Sequence, residues 1–169
     1  VTMSISIDDI LKEVAGPVEF EAKVLNNVTL AANDRGDLVA FQKKVNDLNR
    51  AVNGAIEVSS DLKSKLEIIK TAIKQTNNAP QSLIDEANRI ADENTVLYRK
   101  LVDDEVLAKR NESTYPGISA RVGEVVYGMW TSTSAPTNSY RQNYQIASEE
   151  FKPVLETLKR LVEIELKVL

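Results

Sequence analysis

Residues 34–76, DRGDLVAFQKKVNDLNRAVNGAIEVSSDLKSKLEIIKTAIKQT, decide how this chain folds. Leu38, Phe41, Val45, Leu48, Val52, Ala55, Ser59, Leu62, Leu66, Ile69 and Ile73 follow one another there at alternating spacings of three and four, without a slip across five heptads. Such spacing keeps one apolar stripe along an α-helix, so the stretch predicts one continuous helix of about 60 Å. Asn33 or Asp34 is placed to cap it, and Asp37 falls in the first turn, where the helix dipole favours negative charge. Asn53-Gly54 lies off the stripe, a place for a bend. Ser59 is the single polar member of the seam.

Asn77-Asn78-Ala79-Pro80 ends this helix and starts the next, with Pro80 suited to the first helical position. Leu83, Ala87, Ile90, Asn94, Leu97 and Leu101 form the second seam, flanked by Tyr98. The short turn makes the two helices antiparallel neighbours. Their charges are opposite in sign, +2 over residues 34–79 and −3 over 80–112, which favours the pairing. A shorter helix follows Tyr115-Pro116-Gly117, with Ile118, Val122, Val125 and Met129 on one face. Trp130 then leads into the polar linker 131–137. The last helix runs from near Asn138 to the end on Tyr140, Tyr144, Ala147, Phe151, Val154, Leu158 and Leu161, with Pro153 inside it as an expected kink.

Residues 1–30 have a different period. Val1 to Ile7 alternates, Val18 to Leu25 alternates strictly, and Gly16-Pro17 separates them, so two or three antiparallel strands are expected. An isolated hairpin is marginal in water, so its Phe20 face is expected to lie covered, on the helices or on a further sheet. The architecture that follows is all-α: an up-and-down four-helix bundle over residues 31–169, one helix short, with a small N-terminal β-ribbon over 1–30.

Composition narrows the chemistry. The 169 residues are 43% hydrophobic and 27% charged, and the apolar content is aliphatic rather than aromatic. A net charge of −4 argues against a nucleic-acid partner, and no apolar run is long enough to span a membrane. The chain has no His and no Cys. The commonest acid–base group and metal ligand, thiol nucleophiles and disulfides are therefore all missing. The chain opens on an apparent strand and closes inside a helical pattern, as a piece of a longer protein would.

Candidate sites are few. Asp103-Asp104-Glu105 and Glu149-Glu150 are carboxylate clusters, but neighbouring helical residues point about 100° apart and cannot flank one scissile bond. They read as solvated faces. Asn94 and Ser59 read as a polar layer fixing helix register. Asn27-Val28-Thr29 and Asn111-Glu112-Ser113 match the glycosylation sequon, a pattern frequent by chance. Trp130 is expected to be buried, plugging the gap where the short third helix ends; the rival reading is an exposed platform for a sugar. No catalytic, cofactor-binding or metal-ligating residue is assigned.

Three stretches carry a resemblance. They are Ala15-Gly16-Pro17-Val18-Glu19-Phe20 running into Leu25-Asn26-Asn27-Val28-Thr29-Leu30; Phe41-Gln42-Lys43-Lys44 through Leu48-Asn49-Arg50-Ala51-Val52; and Trp130-Thr131-Ser132-Thr133-Ser134-Ala135-Pro136-Thr137 followed by Glu149-Glu150-Phe151-Lys152-Pro153-Val154-Leu155. In this order they resemble the C-terminal region of large exported bacterial proteins with sortilin-like or sialidase-like (Asp-box) β-propellers, often labelled glycosyl hydrolases. The resemblance implies an upstream propeller and β-domain of the same chain as partners and an extracytoplasmic setting: periplasmic, cell-surface or secreted. It implies a non-catalytic structural or interaction module, since the family's chemistry belongs to the propeller. A partner- or glycan-binding bundle is the alternative, and a carbohydrate-active hydrolase a distant third.

Overall fold

The computed structural model describes residues 3–7, 10–21 and 32–169. Its helices arise where the seams placed them. Helix α1 spans Arg35–Gln75, its N-terminus capped by Asp34, whose carboxylate accepts from the Asp37 backbone N–H at 3.0 Å. It runs through Asn53-Gly54 as one helix. Helix α2 spans Gln81–Leu101, and a short turn of helix, α3, spans Glu105–Lys109. Helix α4 spans Ile118–Trp130, and α5 spans Asn138–Arg160, capped by the Thr137 hydroxyl. Helix α5 continues through Pro153 into a π-helical turn, Leu161–Glu165, marked by the Leu166 N–H reaching back five residues to the Leu161 carbonyl.

The four long helices stand in three columns. Antiparallel to α1, α2 covers its C-terminal half: Ser59 bonds Asn94, and the Ile73–Lys74 end lies beside Pro80 and Gln81. The segment 102–117 does not reverse the chain. Helix α4 runs on in the same sense as α2 and covers the N-terminal half of α1, where Gln42 and Val45 meet Met129 and Trp130. Gly117 makes this stacking possible. A Cβ there would lie 2.9 Å from the carbonyl carbon of Val102, so the start of α4 abuts the end of α2 backbone to backbone. Helix α5 runs parallel to α1, with Arg141 on Asp37, Tyr144 on Phe41 and Leu158 opposite Gly54 and Ala55. The third helix is short because it fills half a column.

The core lies along the common axis. Val52, Leu62, Leu66, Ile90, Leu101, Val122, Val125 and Leu161 are fully enclosed. Two members of the seam are polar, Ser59 and Asn94, and they satisfy each other (2.8 and 2.9 Å). The antiparallel pairing of α1 and α2, which their opposite net charges favour, is made through the apolar seam and the Ser59–Asn94 pair. Among the described residues, inter-element ion pairs join α2 to the C-terminal turns (Arg89–Glu165, 2.5 Å; Arg160–Glu93) and α1 to α5 (Asp37–Arg141, 2.6 Å).

The antiparallel N-terminal ribbon is present, with a second strand other than the one expected. Strand β1 is Met3–Ile7 and β2 is Ile10–Ala15, antiparallel, with Ile7 facing Ile10, Ile5 facing Lys12 and an irregularity between Met3 and Ser4. The tighter pairing takes Ile10–Ala15 as partner, and Gly16-Pro17 ends it; Gly16–Glu21 is not a strand, and the rest of the expected strand to Leu25 lies outside the described residues. Phe20 is 69% exposed, not covered. No described ribbon residue joins the helical core.

Candidate functional site

Trp130, expected in the core, is 88% exposed. The core face of α4 is filled by Ile118, Val122, Val125 and Met129, and one residue beyond Met129 the helix has turned about 100° away from that face. Tyr127, three residues earlier and on the same side, is 74% exposed. The indole therefore points away from the seam and plugs no gap in it.

The indole is instead one wall of a groove of about 200 Å³ between α4 and α1. Val45, Val126 and Met129 form its floor, and Gln42 and Asn46, one turn apart on α1, form the opposite wall. No lining residue is charged. Neither amide is hydrogen-bonded to another group of the protein among the described residues.

Several ties hold the end of α4 in place. The Thr131 hydroxyl donates to the carbonyls of Tyr127 and Gly128 at 3.3 Å, securing the last turn. The Ala32 backbone N–H donates to the Thr133 carbonyl at 3.0 Å, fastening the approach to α1 onto the linker. Gly128 lets the Tyr140 ring of α5 lie directly on the helix: a Cβ there would stand 2.1 Å from the Tyr140 hydroxyl oxygen. Arg141 lies over the Phe41 ring, 5.1 Å from its centre, while pairing with Asp37. The groove is thus presented on rigid elements.

The carboxylate clusters do not converge. Asp103 accepts from the Gly117 N–H at 2.7 Å, and Asp104 accepts from Val106 N–H at 2.9 Å while lying 3.6 Å from Arg99. Both therefore organise the connection between α2 and α4. The side chain of Glu105 lies outside the described set. Glu149 is exposed and accepts from Gln145, and Glu150, also exposed, lines a separate cleft beside Arg99 and Tyr115. A polar cleft of about 310 Å³ does open above the Ser59–Asn94 pair, flanked by Lys63, Tyr98 and Arg99, but its carboxylates are those already engaged in shaping residues 102–117. Among the described residues no group of acidic side chains is arranged to hold a metal ion.

The perturbed groups are also surface ion pairs. Hydrogen bonding from Arg89 holds Glu86 below the ordinary carboxylate value, and Lys70 does the same for Glu67. Arg89 itself is raised by Glu86 and then by Glu165. Of the sequons, Asn111 is exposed with a positive φ of 55°, a conformation Asn tolerates, and Asn27 lies outside the described residues.

Sequence reasoning missed Gln42 and Asn46. They stand beside the seam at i and i+4, but their partner across the groove is 84 or more residues away, which helical period alone does not connect. The chain matches no protein-family model, no curated protein and no solved structure.

Proposed function

We propose that this chain is a non-catalytic structural and interaction module, the helical C-terminal region that packs beside the β-rich part of an exported bacterial propeller protein. One observation carries the reading most directly. The ribbon places Met3, Ile5 and Ile10 on one face, all three exposed, and shares no core with the helices. A two-stranded ribbon buries too little by itself to persist, so its apolar face suits a neighbouring β-domain. The engaged, separated carboxylates and the absence of His and Cys support a role without bond-breaking chemistry.

Ile5→Lys tests the reading in two settings. In this chain alone the substitution should leave helical melting unchanged. In the propeller protein it should expose the junction between ribbon and β-domain to protease. Loss of the helical fold on Ile5→Lys would show that the ribbon belongs to the bundle and overturn the proposal. So would turnover of sialosides or chromogenic glycosides that disappears in Glu150→Gln.

A further inference from the structure

We infer that the groove between α1 and α4 is a binding site for a neutral carbohydrate, which takes one pyranose ring against Trp130 and under the amides of Gln42 and Asn46. This surface is distinct from the ribbon and stands whether or not the ribbon docks a β-domain.

The argument begins with the indole. Aromatic side chains bury large areas when they can, yet Trp130 is 88% exposed at the end of a helix with no strain to excuse it. The backbone that carries it is tied by Thr131, by the Ala32–Thr133 bond and by Tyr140 against Gly128, so the helix end that presents the indole is a fixed feature of the fold. A preorganised face loses little freedom on binding.

The opposite wall identifies the ligand. Gln42 and Asn46 each bring a carbonyl acceptor and an NH₂ donor, and among the described residues neither has a hydrogen-bond partner. A partner's apolar helix laid across them would strip both amides of water without replacing those bonds, a loss of about 1–3 kcal/mol for each group left unmet. Pyranose hydroxyls offer donors and acceptors to meet them, while the ring's axial C–H bonds present an apolar face to the indole. The floor of Val45, Val126 and Met129 suits the same ring edge.

Charge and size agree. With no charged residue in the lining, an anionic sugar or a nucleic acid finds nothing there to neutralise it. At about 200 Å³ the groove is below the roughly 300–1,000 Å³ of pockets that enclose drug-sized ligands. It fits one ring, and Tyr127 farther along the exposed face of α4 continues the platform toward a second.

The test is titration of the intact chain with neutral hexasaccharides (cello-, xylo-, manno- and laminarihexaose) and with a sulfated oligosaccharide. Tryptophan fluorescence and the side-chain amide signals of Gln42 and Asn46 are followed together. At least one neutral glycan should shift all three saturably, and the sulfated one should not. Trp130→Ala should weaken binding about tenfold or more, and Gln42→Leu or Asn46→Leu by several-fold, each with unchanged helical circular dichroism. Silence across the neutral panel, equal response to the sulfated glycan, or binding that survives Trp130→Ala would each overturn the assignment. A spectral shift that depends on protein concentration alone would do so too, by making the face a contact between copies.

Discussion

The Ser59 hydroxyl donates to the side-chain oxygen of Asn94 at 2.8 Å, and the Asn94 amide returns a bond to the Ser59 carbonyl at 2.9 Å, so α1 and α2 are pinned at one level by a reciprocal polar pair inside an otherwise apolar seam. Both residues are essentially sealed from water, at 0% and 3% exposure. Asn94→Leu should therefore lower stability by about 1–3 kcal/mol, because it strands the Ser59 hydroxyl. The double variant Ser59→Ala/Asn94→Leu should regain most of that loss. A double-mutant cycle by urea unfolding checks this, and additive losses would show that the pair contributes no coupling.

Trp130→Ala should change unfolding free energy by no more than about 0.5 kcal/mol, as for surface positions generally. Its emission should be red-shifted and readily quenched by iodide in the native protein. A loss of about 3–5 kcal/mol, the range for emptying a core aromatic site, would contradict the exposed placement.

The seams of α1, α2, α4 and α5 were legible because a period near 3.6 residues states which positions share a face. Ala87, Ile90, Val122, Val125, Phe151 and Val154 lie where that period puts them. The same period puts Trp130 off the seam, since it follows Met129 directly and shares a side of the helix with Tyr127. A lone Trp beside a short helix suggests a gap to fill, but the period outweighs that suggestion. What periodicity does not contain is how columns stack. That depends on Gly117 meeting Val102 backbone to backbone, a long-range contact with no local signature, and the groove depends on it in turn. The partner of the first strand differs for a similar reason: strict alternation marks Val18–Leu25, but the nearer Ile10–Ala15 pairs with Met3–Ile7 through a shorter loop, at lower loop-closure cost.

Glycines should separate by environment. Gly54 and Gly123 sit inside helices, and an added Cβ meets nothing within 4 Å, so Ala at either position should stabilise by about 0.5–1 kcal/mol. Gly117→Ala should destabilise by about 1–3 kcal/mol, because the atoms it would strike are backbone and cannot turn aside. Thermal unfolding of the three variants gives the comparison, and a neutral Gly117→Ala would mean that the junction between α2 and α4 is loose.

Acid should first weaken the ion pairs around Arg89 on α2. Glu86 titrates below its ordinary value chiefly through the hydrogen bond from Arg89, so its stabilisation is complete above the unfolded carboxylate value of 4.5 and is lost as pH falls through the lowered folded value. Arg89→Met removes that hydrogen bond, together with the bonds to Glu93 and Glu165. The variant should be less stable near neutrality and should lose less on going from pH 5 to about 3 than the parent does. Parallel pH profiles for the two proteins would rule this linkage out.

The bond joining α1 to α2 closes a separation of 35 residues, whereas Asp37 and Arg141, joining α1 to α5, stand 104 apart. Closing the longer loop costs only about 1 kcal/mol more, yet it must wait for α4 and α5 to exist. During synthesis the α1–α2 hairpin can assemble once residue 101 has left the ribosome, leaving the N-terminal half of α1 bare until the remainder arrives. The wall that carries Trp130 therefore joins the molecule late, so a prematurely ended chain would emerge helical, partly paired, and without its groove.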